Sequence, residues 1–144
     1  MKTKTKLIIG TVTAATLIAL AALAQNAGQF SVRTSHAVVI KTVPTAGATD
    51  VDPNLKEITV TFSKDMMDRS WSIPQTTPGE NFPEDSPTGA KIHYLADKRT
   101  CVFPVKLQPG RTYVIWFNHG QFMNFKDTAG KYSWPYELVF ESKQ

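Results

Sequence analysis

Cysteine is all but missing from this sequence: Cys101 stands alone among 144 residues. A lone cysteine forms no internal disulfide, so the fold has to stand on its apolar core. Free cysteine is among the most often buried residue types, and Cys101 is read as a small core residue. A broad surplus of basic charge is missing as well. Of the 16 Lys and Arg, Lys2, Lys4 and Lys6 lie in the first six residues, leaving 13 against 12 Asp and Glu. A nearly neutral domain has no basic footprint for phosphate backbones, which excludes nucleic acid as a partner.

Catalytic motifs are lacking too. There is no Gly-x-Ser-x-Gly elbow, no His-Glu-x-x-His and no glycine-rich phosphate loop. Asp65 and Asp68 flank Met66 and Met67 at a spacing that suits a solvated loop rather than paired carboxylates. Asp127, three residues before Gly130, suits a turn whose backbone N–H groups the carboxylate caps. Calcium needs six or more oxygens, and this stretch offers two or three. The chain is therefore expected to be no enzyme and to carry no cofactor.

What is present begins with an export signal. Lys2, Lys4 and Lys6 precede an apolar run over residues 7–24 that ends on Ala22-Leu23-Ala24, small residues where a signal peptidase requires them. Cleavage before Gln25 leaves 120 of the 144 residues, enough for one domain. No cysteine lies near that site to accept a lipid. If the run stays uncleaved, its 18 residues sit near the lower limit for a membrane anchor, the one way a membrane becomes a partner. The organisation expected is a signal peptide over 1–24, a linker over 25–35 and one domain over 36–144. The place expected is the periplasm, the cell surface or the medium.

Within that domain no helical period is sustained. Residues 36–43 form a first extended run, ended by Pro44 and a turn at Gly47-Ala48-Thr49-Asp50. Residues 55–62 alternate, with Ile58, Val60 and Phe62 on one face and Thr59 and Thr61 on the other. Residues 91–95 and 100–105 read as a hairpin turned by Ala96-Asp97-Lys98-Arg99. Over 112–118, Tyr113, Ile115 and Phe117 oppose Val114 and Trp116. Over 136–141, Tyr136, Leu138 and Phe140 oppose Glu137, Val139 and Glu141. About seven short strands with Pro and Gly turns predict an all-β, immunoglobulin-like antiparallel β-sandwich. A corner supports it: Pro109 and Gly110 make a tight turn before Tyr113, whose hydroxyl is expected to fold back onto the preceding backbone.

The order of these pieces resembles a known family. Val43-Pro44-Thr45-Ala46-Gly47-Ala48-Thr49-Asp50-Val51 and Ile58-Thr59-Val60-Thr61-Phe62-Ser63-Lys64-Asp65-Met66 resemble the opening of bacterial Ig-like domains of the SbsA type. Leu107-x-Pro109-Gly110-x-x-Tyr113, Phe125-Lys126-Asp127-Thr128-Ala129-Gly130 and Leu138-x-Phe140 continue the likeness over residues 38–141. The resemblance implies a sandwich of exported proteins serving as a spacer or interaction module, with no catalytic residues. A fainter resemblance is to periplasmic copper-binding sandwiches of the CopC type. His36 stands eight residues before Pro44, and Asp127-Thr128-Ala129 lies where that type has Asp-x-His, without its second histidine. It implies a copper site on His36 and Asp127, with His93 and His119 as the other histidines available.

Binding surfaces are the remaining question, the partner being an envelope protein or a glycan. Residues 70–89 hold Pro74, Pro78, Pro83 and Pro87 and no strand pattern, and segments this long are often functional. Trp71 and Phe82 either pin the segment down or meet a ligand. Trp116, on the outward face, is either an exposed platform for a partner or carbohydrate, or is covered by that segment. Trp134 before Pro135 reads as a turn anchor.

Overall fold

Ile58, Val60 and Phe62 are fully buried, while Thr59 and Thr61 between them are half-buried, so period two along this strand fixes which face meets the core. The same rule holds at Tyr113, Ile115 and Phe117 and at Leu138 and Phe140, all inside. The computed structural model describes residues 31–76 and 81–144; the signal peptide expected over 1–24 and most of the linker lie outside these. The chain divides into two units, Met1–Ser35 and His36–Gln144. In the first, the N–H groups of Thr34 and Ser35 donate to the Ser31 carbonyl, making a turn.

The second unit is all-β. Among the described residues its strands are β1 (Val39–Val43), β2 (Glu57–Phe62), β3 (Glu84–Asp85), β4 (His93–Tyr94), β5 (Thr100–Lys106), β6 (Thr112–Phe117) and β7 (Tyr136–Glu141), with no helix. One sheet runs β1-β2-β5, with β3 and β4 both on the far side of β5; the other pairs β6 with β7. Every named pairing is antiparallel. Inward residues of β2, β5, β6 and β7 share one core, joined by Phe125, Met66 and Leu107. Two sheets closing on one core make the Ig-like sandwich. Burial of each large apolar side chain there stabilises by about 1.5–3 kcal/mol against leaving it in water.

Both open flanks of the β6–β7 sheet are attended by neighbouring chain. After β1 comes the cis Val43–Pro44 bond, and Gly47, at φ 80°, bends the chain across to the second sheet. There Gly47 N–H donates to Val139 O (2.7 Å), and Ala48 O accepts from Glu141 N–H (2.7 Å). Val51 meets Ser142 as a parallel bridge. On the β6 flank, Ser72 O accepts from Asn118 N–H (3.0 Å) and Asn81 O from Val114 N–H (2.8 Å). Pro74 and Pro83 have no N–H, so this flank carries scattered bonds in place of a ladder.

Three expectations about strand extents change. The first strand starts at Val39, not His36, because Ala37 spends its carbonyl on Trp134 N–H (3.0 Å) before the ladder with Phe62 begins. The hairpin strand over 91–95 shrinks to two residues, His93 and Tyr94. The Asp97 carboxylate caps the turn instead, accepting from Arg99 N–H, Thr100 N–H and Thr100 Oγ1 at 2.9, 2.9 and 2.6 Å. Residues 70–89 are not strand-free, since β3 pairs with Lys106 and Val105 of β5. Glu84 anchors it by accepting from Lys106 Nζ (2.7 Å) and Gln108 Nε2 (2.5 Å).

At the corner before β6, Gln108 N–H donates to Tyr113 Oη at 2.7 Å, while the Tyr113 ring packs 5.3 Å from Phe140. Gly110 adopts φ 64° and its N–H donates to Lys143 O (2.7 Å). Pro109 is exposed beside it.

Candidate functional site

Alternation in β6 turns Val114 and Trp116 away from the core, and register places Trp116 opposite Glu137 of β7. The proline-rich segment, held to β6 by Ser72 and Asn81, stands beside that face. Between them lies a cleft of about 210 Å³ lined by Gln75, Thr76, Asn81, Phe82, Val114, Trp116 and Glu137. Trp116 is half-buried, its ring 4.5 Å from that of His119. Phe82 packs 6.0 Å from the ring of Phe103 and against the core, so it holds the segment in place. An indole, two amides and one carboxylate make this cleft suited to a small polar ligand with an apolar face. Trp71 lies elsewhere, half-buried with its ring 6.5 Å from Tyr94. Phe82 and Trp116 are thus brought together and Trp71 is not.

The residues considered for a metal are committed to other bonds. Asp127 is buried, and its Oδ1 accepts from Ala129 N–H (3.0 Å) and Lys131 N–H (2.9 Å) while Oδ2 faces Lys64 Nζ at 3.4 Å. His36 Nδ1 lies 2.6 Å from Tyr132 O. A carbonyl only accepts, so Nδ1 carries the proton and Nε2 alone is left as a ligand atom. His119 stacks on Trp116, and His93 Nδ1 lies 3.0 Å from Lys91 O. Among the described residues no three His, Cys, Asp or Glu side chains gather as a metal set. His36 thus offers one ring nitrogen, and Asp127 is engaged by two backbone N–H groups and by Lys64.

Acid–base chemistry finds no better footing. Burial pushes the Cys101 thiol up to about 12 and the Tyr94 hydroxyl well above the ordinary tyrosine range. The hydrogen bond from Lys106 holds the Glu84 carboxyl below its usual range, and the bond from Thr100 does the same for Asp97. At neutral pH the thiol and the phenol are therefore held protonated and these two carboxyls ionised.

A second surface was not legible as one. The rings of His36 and Tyr132 lie 4.3 Å apart, His36 and Trp134 4.7 Å, and Tyr132 and Trp134 5.9 Å. Trp134, read as a turn anchor, leaves 52% of its surface exposed, and Tyr132 37%. The signal available was the spacing Tyr132-x-Trp134-Pro135, which allows two aromatics on one side of an extended segment. Beneath them sits Asn118, fully buried at φ 62°, which sequence reasoning passed over as a strand end. Its Nδ2 donates to Phe125 O (3.1 Å), Ser133 O (3.0 Å) and Ser133 Oγ (3.1 Å), and its Oδ1 accepts from Phe125 N–H (2.9 Å).

No curated protein matches the chain. Among the solved structures that share its fold are a CopC and a surface-layer protein. CopC from Methylosinus trichosporium OB3b aligns at TM-score 0.53 and 17% identity, over 75% of this chain and 94% of that one. The S-layer protein rSbsC(31-844) aligns at 0.51 and 21%, over 92% of this chain but only 17% of that one. The family model described as bacterial Ig-like domain matches residues 33–142, most of the length, and the chain belongs to that family.

Proposed function

We propose that this chain is an exported, non-catalytic Ig-like module that binds other components of the bacterial cell envelope. The observation that carries the reading is the division of labour among its side chains. The carboxylates of Asp127, Asp97 and Glu84 are taken up in caps and an ion pair, whereas Trp134 and Tyr132 are left at the surface. Exposed aromatic surface on a rigid sandwich favours association over turnover. The segment over residues 1–24, with its basic start and Ala-x-Ala end, supports export. A surface-layer protein among the structures of like fold agrees with an envelope role.

Fractionating cells that produce the full chain tests this. The chain is expected in the envelope fraction, with a mass lacking residues 1–24. A cytosolic chain with those residues intact overturns the reading, as does a monomer free in the medium with no affinity for envelope preparations.

A further inference from the structure

We infer that His36, Tyr132 and Trp134 form a saccharide-binding ledge, a site separate from the Trp116 cleft. The inference rests on the envelope-interaction reading and names the chemistry of one partner. Its first support is the rigidity of the backbone that presents the rings. Ser133, fully buried, accepts from Asn118 Nδ2 through both its carbonyl and its hydroxyl, and donates its N–H to Phe125 O (2.7 Å). Trp134 donates its N–H to Ala37 O (3.0 Å), and Pro135 fixes the next φ. Every backbone group named here is satisfied by the fold, so little ordering remains when a ligand lands on the rings.

The second support is that the Trp134 side chain lies outside the buried core. Its neighbour Ser133 is inside and Pro135 is exposed, while the indole itself stands more than half in water. Trp71, by comparison, is half-buried and packs against the core.

Ring geometry and polar chemistry select the ligand class. The His36 ring is tilted 39° to Tyr132 and 45° to Trp134, and those two stand at 84° to each other. With His36 tilted against both, the three rings give a stepped surface rather than an open cage for an organic cation. A pyranose with equatorial hydroxyls has an apolar C–H face to lie on an aromatic ring and a polar rim to be bonded. The ledge offers a matching rim: His36 Nε2 as acceptor, the Tyr132 hydroxyl as donor or acceptor, and the Trp134 indole N–H as donor.

Titration of the full chain with chitotetraose, a flat β-1,4-linked N-acetylglucosamine probe, decides the matter. Heat release and a tryptophan fluorescence change are expected, with a dissociation constant between about 10 μM and 1 mM. Trp134→Ala is expected to weaken binding about tenfold or more, Trp134→Phe to keep most of it, and Trp116→Ala to leave it within about twofold. Unchanged circular dichroism checks that each variant is folded. No binding by the parent chain at about 5 mM overturns the inference. Binding that survives Trp134→Ala, or is lost only in Trp116→Ala, overturns it equally. If envelope binding persists while chitotetraose fails, the ledge inference falls and the module reading stands; if both fail, both fall.

Discussion

Trp116 and Trp134 are both surface tryptophans tied to the same buried asparagine, yet one is flanked by a proline-rich segment and the other leaves 52% of its surface exposed. Asn118 N–H reaches Ser72 at the root of that segment, and its side chain reaches Ser133 at the root of the ledge. The difference lies in the backbone. β6 borders the small sheet, and its outward N–H groups at Val114 and Asn118 need acceptors, which residues 72 and 81 supply. Chain brought in for that purpose shelters Trp116 as a by-product. Around Trp134 the backbone is already bonded to Ala37, Phe125 and Asn118, so it needs no further acceptors from another stretch of chain. Cover on this molecule follows unmet backbone bonds more than apolar side chains.

Four perturbations probe that contrast, beginning with the residue common to both sides. Asn118→Ala removes four buried side-chain bonds and puts a Cβ-only residue at positive φ; a loss of about 2–4 kcal/mol in urea unfolding is expected. Asn118→Gly relieves the φ and should keep most of that loss; full recovery in it would mean strain, not bonding, made the site. Next comes Phe82→Ala, which unpins the segment from Phe103 and is expected to cost about 1–2 kcal/mol, less than a fully buried Phe. It should raise acrylamide quenching at Trp116 but not at Trp134, measured in single-tryptophan backgrounds; equal change at both would erase the distinction.

Smaller still, Trp116→Ala is expected to cost about 1 kcal/mol and Trp134→Ala no more than about 0.5. A reversed order would show that the exposed ring, not the sheltered one, belongs to the packing. The least effect is on pH. Glu84, whose carboxyl is held below its usual range chiefly by Lys106, adds stability above the unfolded-state value and loses it as pH falls through the lower folded one. The melting temperature should therefore drop slightly more for the parent than for Glu84→Gln between pH 6 and pH 3. Identical slopes would detach β3 from any role in holding the segment.

The sequence carried the repeating part of the fold and little of the ledge. Ile58, Val60 and Phe62, or Tyr113, Ile115 and Phe117, declare their faces because side-chain direction in a strand is local geometry. The Phe82 and Trp116 pairing was within reach once the segment was suspected of lying over β6. His36 against Tyr132 joins positions 96 apart, a contact that only the closed sandwich creates. Asn118 was hidden for a related reason: its importance lies in four bonds to residues seven and fifteen positions on, none of which has a sequence pattern. The two-residue strands β3 and β4 are too short for any period to register.

Cys101, the second residue of the most enclosed strand, gives the molecule a built-in clock. With its only thiol fully buried and its pKa raised by burial, the folded chain offers a disulfide-exchange reagent nothing to react with. Labelling can proceed only in moments when β5 is uncovered, so its rate counts openings of the core. With a single cysteine the chain needs no oxidation to fold, and in the folded state its concealment keeps that sulfur from crosslinking one molecule to the next.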